Sequence, residues 1–176
     1  MRPGVVVGVS GTPGSLTALR RAATEAHLRN AELWAVLAWD TPGAGFGGRA
    51  GTGPAPSLRL CRTDAAERLR DALTTAFGAG GAGVPVVGRV VRGTPGAVLV
   101  GTAAAEGCLL VVGTGPRGAL HRCLWPSVAR YCVAHAPCPV LAVPPSPVRR
   151  EPAAAQRGNA WRLRPDARGL VDRDGV

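Results

Sequence analysis

Gly113-Thr114-Gly115-Pro116-Arg117-Gly118 sets three glycines at the spacing G-x-G-x-x-G. Glycines so placed let backbone amides close on a phosphate, and a helix that follows offers the positive end of its dipole. The stretch follows an apolar run, Cys108–Val112, as a dinucleotide fingerprint should. That fingerprint, however, belongs to the first strand–helix turn and needs an acidic residue about 20 positions later to hold a ribose. After Glu106 the next acid is Glu151, so the dinucleotide reading fails on context. Cys132, His135 and Cys138 stand as C-x2-H-x2-C, with His121 and Cys123 nearby. This is not a standard zinc spacing. Cys132 is expected on a packed helix face and Cys138 at the start of a strand, so no metal is expected. Ser127 and His135 are eight apart on one predicted helix and cannot touch, and His27 reads as a surface residue. No nucleophile–base–acid set assembles, and the chain is not expected to be an enzyme.

The composition narrows the classes further. All 21 basic residues are Arg, there is no Lys and no Ile, and the net charge is +10. Such basicity permits nucleic acid or an acidic partner. The Arg residues are nevertheless dispersed, with doublets only at Arg20-Arg21 and Arg149-Arg150, and aromatics make up just 4%, so stacking platforms are scarce. Both features argue against nucleic acid as the main ligand. No apolar run reaches the length of a membrane span, and Val5–Val9 is too short for a signal-peptide core. The expected location is the cytoplasm, without a membrane partner. Five cysteines without a secretion signal read as reduced thiols, mostly small core residues.

The elements that would position the glycine loop alternate between two periods. Val5–Val9 is a β-branched run bounded by Gly, followed by the turn-rich loop Ser10–Ser15. Leu16, Leu19, Ala22, Ala23, Ala26 and Leu28 recur at helical spacing. Leu33–Trp39 reads as a second strand and 40–56 as a Gly/Pro-rich loop. A second helix is expected from Ser57 to Phe77, with Leu58, Cys61, Ala65, Leu69 and Leu73 inward. After the glycine hinge Gly78–Gly83 come a strand at Val84–Val91, a helix from Thr94-Pro95, a strand at Cys108–Val112, a helix from Ser127 to His135 and a strand at Val140–Val143. Runs apolar on both faces, alternating with helices, imply a parallel sheet covered on both sides. Residues 1–145 form the expected domain. Residues 146–176, opened by Pro144-Pro145-Ser146-Pro147, read as a Pro/Arg-rich, disordered tail.

Three stretches taken together resemble the universal stress protein family. These are Val5–Ala26, Val90–Val100 and, most distinctively, Leu109–Val143, which carries Leu109-Leu110-Val111-Val112-Gly113 and His135-Ala136-Pro137-Cys138-Pro139. The resemblance implies a single doubly wound, five-stranded parallel sheet in order 3-2-1-4-5, of the Rossmann-like, adenine-nucleotide alpha-hydrolase-like class. It also implies an ATP cleft, with Mg²⁺ accompanying the nucleotide. In ATP-binding members that cleft uses an Asp after the first strand and a loop G-x2-G-x9-G-[S/T]. Carried over, the nucleotide-binding candidates are Ser10, Ala38, Gly113, Gly115, Arg117, Gly118, Ser127 and Val128, with Ala38 as a backbone contact to the base.

This chain departs from that pattern at three places. Ser10 stands at the Asp position, and Pro116 and Pro126 stand at two of the glycines. Proline has no N–H and cannot take positive φ. Two lost charge-assisted bonds at about 1.5–3 kcal/mol each lower affinity about a hundred- to ten-thousand-fold. Arg117 and Arg122 are the available compensating phosphate partners. The expectation is a stress-response regulator with a degenerate ATP cleft that holds the nucleotide weakly or not at all. The alternative is an interaction protein of the same fold that binds no nucleotide and works by dimerisation and docking on another protein. The resemblance places a homodimer on Val140–Val143.

Overall fold

The structure, a computed structural model, describes residues 4–40, 57–114 and 127–145. Within them run β1 (Gly4–Gly8), α1 (Pro13–Leu28), β2 (Glu32–Trp39), α2 (Leu58–Phe77), β3 (Val86–Arg92), α3 (Pro95–Glu106), β4 (Gly107–Gly113), α4 (Val128–His135) and β5 (Val140–Val143). The strands form one sheet in order β3-β2-β1-β4-β5, with every pairing parallel. The expected order and class are those observed. The expected loop at 40–56, beyond Asp40 itself, and the tail at 146–176 lie outside the described residues.

The apolar runs sort by alternation onto two cores. Val5 and Val7 of β1 pack with Leu33, Ala35 and Leu37 of β2 and Leu109 and Val111 of β4 under α1 and α2. Val6, Val36, Leu110 and Val112 point the other way, against Leu99 and Ala103 of α3 and Ala129 and Cys132 of α4. Val5, Val6 and Val7 are all fully buried, so β1 has no solvent face. This is why its sequence shows no polar alternation. α3 lies close because Gly8 has no side chain: a Cβ there would sit 2.8 Å from Leu99 Cδ1. α4 meets α3 in the same way, with the Tyr131 ring where a Cβ on Gly96 would stand.

Several readings differ from expectation. α1 begins at Pro13, inside the expected loop, because Thr12 caps it: its Oγ1 accepts from Ser15 N at 3.3 Å, and Pro13 takes the first turn, where its missing N–H costs nothing. β3 begins at Val86, two residues late. Gly81 and Gly83 hold positive φ, and pairing opens at the Pro85 carbonyl, which accepts from Leu33 N. Leu58 of α2 is exposed, not inward, while Ala65, Leu69 and Ala72 form the buried stripe, with Leu73 half-buried beside it. The first turn of α2 thus contributes nothing to the core. Cys138 precedes β5, whose pairing opens one residue later at the Pro139 carbonyl, the acceptor for Leu110 N.

Two expected outcomes follow from this packing. Leu110→Ala, at a fully buried position between β1 and β5, lowers unfolding free energy by about 2–5 kcal/mol in urea titration. Glu25 of α1 is buried and clamped by Arg29 and by Arg21, the latter at 2.6 Å. The hydrogen bond from Arg29 leads in holding its carboxyl below the ordinary range, against the opposing effect of burial. A depressed folded pKa stabilises above the unfolded value, and the benefit is lost as pH falls through the folded pKa. Glu25→Gln is therefore expected to flatten the acid limb of the stability curve below about pH 4.5, measured as the urea midpoint against pH.

Candidate functional site

From β1 the chain crosses by α1 to β2 on one side. From β4 it crosses by α4 to β5 on the other. The crossings diverge between two adjacent strands, so a crevice opens at the carboxyl ends of β1 and β4, where open α/β sheets take ligands. Because both helices start at that edge, their positive ends face it. Neither carries an acid in its first turn.

The floor of the crevice is backbone against backbone. Gly113 ends β4 beside the first turn of α1, and a Cβ there would lie 2.9 Å from the Gly14 carbonyl oxygen and 3.4 Å from Ser15 N. Any side chain at Gly113 would push the two strand–helix turns apart. Beyond it Thr114 continues the ladder, donating N–H to Val143 O at 2.9 Å and Oγ1–H at 3.4 Å.

A hydroxyl network shapes the β1–α1 turn. Val9 N donates to Val36 O at 2.8 Å, carrying β1 pairing past its last residue. Gly11 then turns with φ +75°, the left-handed region that favours glycine. Ser10 N donates to Ser15 Oγ at 3.2 Å, and Ser15 Oγ donates to Thr12 O at 3.0 Å. The Ser10 hydroxyl, exposed at the mouth, lies 3.0 Å from Thr12 Oγ1. A neutral hydroxyl pair thus stands where a carboxylate was the expected partner for the base or ribose.

Of the sequence candidates, Ser10, Ala38 and Gly113 lie at this edge, at or just past the ends of β1, β2 and β4. Ala38, half-buried and next to last in β2, is held in register with Val91. Ser127 caps α4, its Oγ accepting from Arg130 N at 3.4 Å, and Val128 opens the helix, partly exposed. Gly115, Arg117 and Gly118 lie outside the described residues, as do Pro116, Arg122 and Pro126. Thr12, Gly14 and Ser15 were not singled out by sequence, although Thr12-Pro13 is a legible cap-and-first-turn signal.

The cysteine–histidine stretch does not converge. Cys132 is fully buried on the inner face of α4, where burial pushes its thiol pKa up. His135 is exposed, stacked on Tyr131 at 4.2 Å between ring centroids, with Nδ1 2.9 Å from the Tyr131 carbonyl oxygen. Among the described residues no three His, Cys, Asp or Glu side chains gather where a metal could sit. His121 and Cys123 lie outside them. No helix among the described residues is long and apolar enough to cross a membrane.

The family model of the universal stress protein family matches residues 1–144. Among solved structures, the chain is similar to a universal stress protein in complex with cAMP at 27% identity and TM-score 0.53, covering 82% of this chain and 98% of that one. A universal stress protein family member from Burkholderia pseudomallei is 24% identical, with TM-score 0.58 and coverage of 82% and 97%. An Arabidopsis thaliana family protein with AMP bound is 16% identical, with TM-score 0.52 and coverage of 87% and 99%. These last two likenesses concern the fold. Comparison with curated proteins gives no match. With the expected sheet order in place and the family model spanning residues 1–144, the chain belongs to the universal stress protein family.

Proposed function

We propose that this protein is a non-enzymatic stress-response regulator that takes an adenine nucleotide at the carboxyl edge of β1 and β4, and takes ATP with Mg²⁺ only weakly. The observation that carries the reading is the contact of Gly113 with Gly14 and Ser15, which keeps side chains out of the crevice between two helix starts. The relative in complex with cAMP lends the ligand class. The departures set the rank order. Ser10 removes a charged partner at the base or ribose end, and Pro116 and Pro126 remove amides from the phosphate loop. A triphosphate draws on that loop more than a monophosphate does, so a nucleotide with one phosphate loses less here. The same prolines favour the second reading, an interaction protein that uses the fold without nucleotide. In either case β5, a four-residue edge strand with Val140 and Leu141 half-buried and Ala142 exposed, is the proposed homodimer contact. The cytoplasm is the proposed location.

Calorimetry tests the order. AMP or cAMP is expected to bind the natural protein more tightly than ATP with Mg²⁺. Pro116→Gly with Pro126→Gly is expected to improve ATP affinity about a hundredfold or more. Micromolar ATP binding by the natural protein, unchanged in the double variant, would refute the role given to the prolines. Absence of binding by any of the three nucleotides to either protein would leave the interaction-protein reading standing.

A further inference from the structure

The sheet has two edges. β5 presents four residues, whereas β3 presents seven, Val86–Arg92, with no proline and an unbroken register against β2. Leu33 N donates to Pro85 O, and Gly93 N donates to Trp39 O. Because a parallel strand alternates which side its backbone groups face, the odd-numbered residues bond β2. The N–H and C=O groups of Val86, Gly88, Val90 and Arg92 therefore point outward. Among the described residues nothing pairs with that edge. Val86, Gly88, Arg89 and Arg92 are exposed. Long open edges of this kind are usually shortened, bulged or covered, because they template the addition of another strand.

Charge decides what fits. Arg89 and Arg92 are three apart, so they project to opposite faces of the strand. Arg89 is held at the surface by the Trp34 ring, 4.1 Å from its centroid, and by Glu106 at 3.4 Å. Arg92 is held by Asp40 at 3.6 Å. Both guanidinium side chains remain about half exposed, at 42% and 52%, with donors left for a further carboxylate. A second copy is a poor occupant. Symmetric antiparallel pairing centred on the strand would set Arg89 opposite its own counterpart, and like charges directly opposed destabilise a pair.

We infer that the outer edge of β3 is a docking site for an extended acidic segment of another protein, which adds as a sixth strand and places a carboxylate near each of Arg89 and Arg92. Main-chain hydrogen bonds to Val86, Gly88, Val90 and Arg92 supply the adhesion, and the two guanidinium groups supply the selection. The site is separate from the crevice at β1 and β4 and does not depend on any nucleotide.

The probe is a fluorescein-labelled peptide of valine and threonine with glutamates three apart, read by anisotropy against the full chain. Saturable binding is expected, with none for the counterpart carrying lysines. Val90→Pro deletes an outward N–H while leaving the β2 ladder intact, and is expected to weaken binding about tenfold. Arg89→Gln, which leaves the backbone edge unaltered, is expected to weaken it too, and more at low salt than at high salt. Circular dichroism of both variants checks the fold, and Arg89→Gln carries the test if Val90→Pro does not fold. Three results would overturn the inference. These are no saturable binding of the acidic peptide, equal binding of the lysine peptide, or amide protection at Val86, Gly88, Val90 and Arg92 that appears with dimerisation of the protein alone.

Discussion

The pairing of β1 with β4 is the constraint on which the rest depends. Val5–Val7 lie in parallel register with Leu109–Val111, across more than a hundred residues of chain, and both strands are buried on both faces. The order 3-2-1-4-5 follows once these two are neighbours, since the crossovers before and after must run to opposite sides. The crevice follows as well. It is the gap left where α1 and α4 diverge, and its floor is as narrow as Gly113 against Gly14 permits. A disturbance of the central pair is therefore felt at the site.

The crevice combines a retained scaffold with altered chemistry. Its helix starts and glycine floor are those of an anion-accepting edge. At the β1–α1 turn a hydroxyl network of Ser10, Thr12 and Ser15 replaces a carboxylate, and most of its bonding capacity is spent internally. That network orders the turn and caps α1 while offering a neutral surface to whatever enters. A family fold can thus persist while the chemistry at one of its turns differs.

Much of this was legible in the sequence, for physical reasons that differ by element. The central strands were readable because burial on both faces demands unbroken apolar runs, as in Val5–Val7 and Leu109–Val112. Ser10, Gly113 and Ala38 were singled out through the family resemblance, and the structure sets them at the carboxyl ends of β1, β4 and β2. The start of α1 was misjudged because Ser, Gly, Thr and Pro signal a turn and a helix cap with the same letters, and only the Thr12 cap geometry separates the two. Leu58 was misjudged because helical spacing fixes an angular face but not how far a helix extends past the sheet it covers. The closeness of Gly113 to Gly14 carried no local signal at all, since it arises from a contact across about a hundred residues of chain.

The central claim is that a ligand enters between the β1–α1 turn and the end of β4. The most direct measurement is a two-dimensional ¹⁵N–¹H NMR titration of the full chain with AMP. The account predicts concentration-dependent shifts at the amides of Ser10, Gly11, Thr12, Gly14, Ser15, Gly113 and Thr114, with those of Val86, Gly88 and Val90 unmoved. A spectrum unchanged at millimolar AMP, or shifts confined to residues away from that edge, would contradict it.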